Sequence, residues 1–145
     1  MYPRASSCWR SCASSIDGSA FLGLNVNDNS GNLIRVGAYD LLKEGTDTHR
    51  RWMQQLDLIA AGLQELKDAG VVVLWRPFHE MNGGWFWWGA QDFDTFIKVW
   101  RHMFHYFSET KGLDNLLWVY GPNHGQKTAA YYAGDRYVDL VGLDA

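Results

Sequence analysis

An α/β fold with parallel strands and alternating helices is predicted by three features of the sequence. From residue 46 onward, stretches with a helical apolar stripe alternate with short strand-like runs. Two of those runs, VVVLW (Val71–Trp75) and LLWVY (Leu116–Tyr120), are apolar throughout, as expected of a parallel strand covered on both faces. Loops rich in ionisable, aromatic and glycine residues follow them, so the chemistry gathers at one end of the strands. The length sets a ceiling. A complete eight-stranded α/β barrel needs about 250 residues, so a chain of this size holds about four or five βα units at most; it has 145 residues.

Each element has its own justification. Met1–Ser19 is Ser-rich and without period, and it lacks the 7–15-residue apolar run of a secretory signal. Its Cys8 and Cys12 stand in a CxxxC spacing that fits neither a zinc pair nor a thioredoxin motif, leaving incidental thiols or a local disulfide or metal contact. Phe21–Val26 (FLGLNV) reads as a strand interrupted by Gly23, Asn27–Asn32 as a loop, and Leu33–Gly45 as irregular. Thr46, Asp47 and Thr48 supply N-caps for a helix running to about Ala69. Its stripe is Trp52, Leu56, Ile59, Leu63 and Leu66, Lys67 suits its last turn, and Gly70 stops it.

After the strand Val71–Trp75 comes a loop, Phe78–Ala90. Asp92 caps a second helix reaching about Glu109, with Phe93, Phe96, Ile97, Trp100, Phe104 and Phe107 on its apolar side. Leu116–Tyr120 is the next strand, Gly121–Lys127 a loop, Thr128–Tyr132 a short helical piece, and Val138–Leu143 a third strand ending at Asp144.

Composition excludes several functions. Lys plus Arg number 13 and Asp plus Glu 16, a net charge of −3, which disfavours nucleic acid or an anionic membrane as partner. No run of 18 apolar residues exists to span a bilayer. Aromatic residues make up 15% of the chain, with 8 Trp, so the placement of the tryptophans matters. Trp52, Trp75, Trp100 and Trp118 fall on core positions of helices or strands.

Three tryptophans, Trp85, Trp87 and Trp88, lie in the segment RPFHEMNGGWFWWG (Arg76–Gly89). There Arg76, His79 and Glu80 stand just past the end of a strand, and Asn82-Gly83-Gly84 links them flexibly to the aromatics. A carboxyl beside indole rings is desolvated, which raises its pKa toward that of a general acid. Indole faces suit the CH faces of a sugar, so the segment reads as a polysaccharide site. The competing reading has Trp85, Trp87 and Trp88 covering the strand ends or packing the next helix. Arg76 is suited to hold a second carboxylate ionised. His124 is a neighbour of the site in a strand-end loop, and Asp144 a second acidic candidate. His79 has no HExxH spacing and no nearby His or Cys to complete a metal site, so no metal or other cofactor is expected. His49, His102 and His105 are expected to be solvated on helix surfaces.

WRPFHEMNGGWFWWG (Trp75–Gly89) closely resembles the fourth-strand motif of glycoside hydrolase family 26, whose usual activity is endo-β-1,4-mannanase. RWMQQLDLIAAGLQELKDAG resembles that family's third barrel helix, LLWVYGPN its fifth strand and YVDLVGLDA its sixth. The resemblance spans about Leu41 to Ala145. It implies a clan-A (β/α)8 barrel of which this chain holds about strands four to six. It implies Glu80 as acid/base, His79 beside the reactive sugar, Arg76 as support of the nucleophile, and Trp85 and Trp88 as an aromatic wall on the sugar. Asn82, Asp144 and His124 complete the expected substrate-binding set, and β-mannan or a manno-oligosaccharide is the expected partner. A secreted location is implied by the resemblance alone.

The departures from the family pattern are equally specific. Its nucleophilic Glu ends strand seven, and this chain is expected to stop at strand six with no nucleophile of its own. The Tyr after the strand-six Asp and the Trp of strand eight are missing. No Trp-His pair stands near strand three, where Asn25 and Asn27 lie instead. Residues 1–20 are read as an irregular tail, a gene-boundary artefact being one origin, and 21–145 as an incomplete catalytic domain. The expectation is a mannanase fragment with doubtful activity alone and self-association through open barrel edges. A non-catalytic carbohydrate-binding remnant, or a β-1,3-xylanase or β-glucanase of the same family, are the alternatives.

Overall fold

A computed structural model describes residues 26–27, 33–34 and 38–145. The cysteines, the tail and most of the expected strand Phe21–Val26 lie outside the described residues. Within them, β1 (Val26–Asn27) pairs antiparallel with β2 (Leu33–Ile34), with Val26 opposite Ile34. The segment expected to be irregular thus contains β2 and a helical turn, α1 (Ala38–Leu41), both of whose terminal residues are buried.

The long helix α2 (Asp47–Asp68) keeps the expected limits. Thr46 is extended at the N-cap and its hydroxyl accepts from the His49 N–H at 3.1 Å, satisfying one of the orphan donors of the first turn. Gly70 ends it at φ +72, a conformation without steric cost only for glycine. Lys67 in the last turn donates to the Gly112 carbonyl at 2.6 Å and pairs with Asp114 at 2.9 Å. Trp52, Leu56 and Leu63 of the stripe are buried. The helix α3 (Phe93–Phe104) starts at Asp92, whose carboxylate accepts from the Thr95 N–H at 3.0 Å. Its expected extension to Glu109 is a π-helical segment, His105–Thr110, which keeps Phe107 buried.

The strands β3 (Val73–Trp75), β4 (Leu116–Tyr120) and β5 (Leu140–Val141) form one parallel sheet in that order. Register sets Trp75 against Trp118 and Tyr120 against Val141. The Asn115 amide donates to the Val71 carbonyl at 3.0 Å, and the Asp139 carboxylate accepts from the Trp118 N–H at 2.7 Å, so side chains extend the ladder where strands are short. Trp75 meets Phe107 and Trp118 meets Trp100 and Phe104, seating both helical segments on one face of the sheet.

The opposite face is a correction. The apolar runs imply cover on both sides, yet Leu74 is 65% exposed, Leu117 39% and Leu140 45%. The pairs Leu74–Leu117 and Val119–Leu140 put these residues on the side away from the helices. In a barrel that side faces the interior, which only the remaining strands can fill.

Two other expectations change. Thr128–Tyr132 is not helical: isolated bonds from Ala130 to Lys127 and from Tyr132 to Ala129 make successive turns, and Lys127 sits at φ +63, off the helical region. The expected strand Val138–Leu143 pairs only over Leu140–Val141, followed by a single parallel bridge between Asn123 and Asp144. The helix histidines are not simply solvated either. His49 Nδ1 lies 2.6 Å from the Leu41 carbonyl, and the Trp52 indole donates to His102 Nδ1 at 3.2 Å. His105 contacts Glu109 at 2.9 Å. Burial between α2 and α3, helped by neighbouring His49 and His105, holds His102 below its ordinary pKa.

Candidate active site

The site is assembled where the three parallel strands end together. After β3, Pro77 removes a backbone donor, and the chain turns through two left-handed residues, Phe78 at φ 53 and Glu80 at φ 55. Such backbone costs on the order of 1–3 kcal/mol per residue and persists only where the surroundings impose it. Here they do. The Phe78 ring is buried among Trp52, Trp87, Trp88 and Phe96, and the Glu80 N–H donates to the Gly121 carbonyl at 2.7 Å, beyond the end of β4. The turn therefore delivers Glu80 to the β4 loop.

Both carboxylate oxygens of Glu80 accept a hydrogen bond. Asn123 Nδ2 donates to Oε1 at 2.9 Å and the Trp85 indole N–H to Oε2 at 2.8 Å. These donors favour the charged form. They outweigh partial desolvation, and the Glu80 pKa lies below its ordinary value, with Asn123 the largest cause. The sequence suggests a carboxyl raised by its aromatic neighbours; the structure places it at the indole edge, where the ring donates a hydrogen bond instead of excluding water.

The aromatic residues divide. Trp85 is 60% exposed, its ring lying over Gly83. Trp88 is 3% exposed, donates to the His79 carbonyl at 2.8 Å and stacks on Phe86 at 4.4 Å with rings 10° apart. It forms the floor of the site rather than an open wall. Trp87 is half-buried against Phe78 and Trp88. His79 is clamped by Phe86 at 4.7 Å and Trp88 at 5.6 Å; this burial, then the Arg76 charge, lowers its pKa, so its imidazole is biased to the neutral form.

Arg76 reaches across β4 to pair with Asp144 at the end of β5. Gly121 lies between them: a Cβ there would come within 3.1 Å of the Arg76 guanidinium and 3.4 Å of the Asp144 carboxylate. The carboxylate that the arginine holds is thus that of Asp144. Asn82 works within the protein. Its Nδ2 donates to the carbonyls of Asn123 at 2.9 Å and Gln126 at 3.1 Å, and its Oδ1 accepts from the Asn123 N–H at 2.8 Å. That pins the loop after β4 to the loop after β3, so the Asn82-Gly83-Gly84 link is an anchor more than a hinge. His124 is exposed and contributes its backbone N–H, which donates to the Asp144 carbonyl at 2.7 Å.

Sequence reasoning passed over Asn123 and Gly121. The signal for both is their position in Gly-Pro-Asn at the end of LLWVY, level with Glu80 in the sheet. Among the described residues no group of three His, Cys, Asp or Glu is placed to hold a metal ion, and no helix is long and apolar enough to cross a membrane.

Parallel strands backed by helices on one face, with a hydrogen-bonded carboxylate and an exposed indole at their C-terminal ends, define part of a (β/α)-barrel of the glycoside-hydrolase class. Comparison with known proteins gives the family. The sequence pattern of glycosyl hydrolase family 26 matches residues 38–145, and the chain belongs to that family. It is 41% identical over 133 residues to mannan endo-1,4-beta-mannosidase A and B of Caldalkalibacillus mannanilyticus, which covers 85% of this chain and 26% of that protein. The solved structure of a Bacillus subtilis mannanase superposes with a TM-score of 0.70 at 42% identity, over 74% of this chain and 35% of the other. A β-mannanase from a symbiotic protist of the termite Reticulitermes speratus, solved with a gluco-manno-oligosaccharide, gives 0.72 at 38% identity, over 84% of this chain and 37% of the other. The chain thus spans about a quarter to just over a third of the length of these relatives.

Proposed function

We propose that the chain carries the acid/base part of a retaining endo-β-1,4-mannanase. The observation that carries this reading is the Glu80 carboxylate, presented at the strand ends between Asn123 and an exposed Trp85 in a chain whose relatives are named as mannanases. Glu80 protonates the leaving oxygen and then deprotonates water. Trp85 offers its open face to a sugar ring. His79, neutral and clamped, lines the reactive position, and Trp88 fixes its orientation. Asp144 is paired with Arg76, and, as the family resemblance implies, the nucleophilic carboxylate, needed about 5–5.5 Å from the acid, is placed on another segment in this reading. A secreted whole protein acting on β-mannan follows from the same reading.

Mannohexaose titrated into the 145-residue chain is expected to quench tryptophan fluorescence and release heat, without hydrolysis. Cellohexaose and β-1,3-xylo-oligosaccharides run in parallel decide between mannan and the other polysaccharides. A chain that binds none of them is neither half-site nor binding remnant. Release of reducing sugar from mannan, abolished by Glu80→Gln, overturns the assignment of the nucleophile to another segment.

Self-association accompanies this reading. Leu74, Leu117 and Leu140 are exposed on one face of the sheet, and Tyr120, Pro122, Tyr132, Val141 and Leu143 line an apolar groove of about 320 Å³ on the other. Sedimentation velocity is expected to show dimers or larger species that grow with concentration. A compact monomer at every concentration refutes it.

A further inference from the structure

The two donors on Glu80 raise a difficulty for an acid catalyst. A carboxylic acid carries its proton on one oxygen, and that O–H must point at the leaving group. Here Oε1 is taken by Asn123 and Oε2 by Trp85. Both donors stabilise the charged form, so protonation of either oxygen is disfavoured while they are in place, because a carboxylate accepts these bonds more strongly than a protonated carboxyl does.

The two donors are held unequally. Asn123 is anchored three times: its N–H and carbonyl are both bonded to the Asn82 side chain, and it bridges to Asp144. Trp85 is exposed, and its nearest ring neighbour, Phe86, is 6.5 Å away between centroids. Its ring otherwise lies over the backbone of Gly83, which has no side chain to hold it there. The ring of Trp85 is therefore the donor free to leave.

We propose that the Trp85 indole N–H is a latch on Glu80, which occupies Oε2 until the ring turns onto a bound sugar and thereby lets Glu80 take up its proton from solvent. Oε1 stays with Asn123, which fixes the carboxyl plane, and Oε2 becomes the O–H that faces the leaving oxygen. This rests on Glu80 being the acid of the proposed site, and it adds that protonation of the acid is linked to occupation of the sugar position. Trp85 acts here as a positioning residue for the proton.

The chain has four glutamates, so labelling with [δ-¹³C]glutamate gives four carboxyl resonances, that of Glu80 assigned by its loss in Glu80→Gln. In Trp85→Phe, which keeps a ring and removes the N–H, the Glu80 midpoint is expected to move to higher pH. Saturating mannohexaose is expected to move the wild-type midpoint upward and that of Trp85→Phe by much less, the latch being already gone. An unchanged midpoint in Trp85→Phe overturns the latch. So does mannohexaose that perturbs the Trp85 indole resonance while leaving the Glu80 midpoint where it was. If mannohexaose perturbs nothing at the site, the mannan reading fails separately, and the comparison of wild type with Trp85→Phe still decides the latch.

Discussion

Trp100→Ala is expected to leave most of the chain unfolded at room temperature. Trp100 is fully buried, donates from its indole to the Tyr137 carbonyl at 3.1 Å, and touches Phe96, Trp118 and Tyr120. It is the point at which α3, β4 and the turn before β5 meet. Large-to-small replacement of a buried aromatic costs about 3–5 kcal/mol, because transfer energy is lost and a cavity remains. The Tyr137 carbonyl also loses its donor. Ordinary domains have about 5–15 kcal/mol in total, and a sheet with one apolar face open to water belongs at the low end of that range. Urea unfolding followed by near-ultraviolet circular dichroism measures the loss. A shift worth less than about 1 kcal/mol would show that Trp100 is not a keystone. Trp100→Phe, which refills part of the space, is expected to cost distinctly less.

The helices and central strand were legible because local signals and tertiary demand agree there. In α2 the cap at Thr46, the stripe through Trp52 and Leu63 and the stop at Gly70 all point the same way. LLWVY keeps its expected limits because it is the middle strand, paired on both sides. The edges were less legible. VVVLW loses two residues of ladder and Val138–Leu143 loses four, because pairing partners decide strand length and an apolar run says nothing of who lies beside it. Composition likewise cannot report that Leu74 and Leu117 face open space: a residue fit for a barrel interior looks the same whether or not the rest of the barrel is present.

The site was legible as a set of positions, less so as a set of roles. Arg76, His79, Glu80, Asn82, Trp85, Trp88, His124 and Asp144 all come to the strand ends. Their division of labour depends on orientation within an irregular loop, where no period applies. Trp85 and Trp88 are three residues apart in one aromatic run; one lies in water and the other beneath His79. Asn82 and Asn123, two ordinary loop amides in the sequence, turn out to hold each other and, through Asn123, the Glu80 carboxylate. A hydrogen-bond donor supplied from another strand end, 43 residues away, overrides the desolvation that the local sequence suggests.

The second large effect is expected at Gly83. A Cβ built on Gly83 comes within 2.5 Å of three carbons of the Trp85 six-membered ring, so any larger residue and the ring in its present place exclude each other. Gly83 itself cannot yield easily: its N–H donates to the Glu80 carbonyl at 3.0 Å, and its own carbonyl lies where a Cβ on Gly89 would stand, so the loop is closed tightly around it. The ring, exposed on its outer side, is the part that moves. Gly83→Ala is therefore expected to push the Trp85 ring out of the loop, breaking the bond to Oε2 and carrying the ring beyond reach of a bound sugar, while the core tryptophans stay as they are. The readings are a Trp85 indole N–H resonance moved toward its solvent-exposed position and mannohexaose affinity lowered tenfold or more, about the 1.4 kcal/mol that one lost contact surface of this kind represents. Gly84→Ala supplies the contrast, since the same methyl one residue later meets nothing within 4 Å. Equal losses in the two variants would mean that the glycines serve loop flexibility. A loss confined to Gly83→Ala means that the Trp85 platform is set by contact with a backbone that has no room for a side chain.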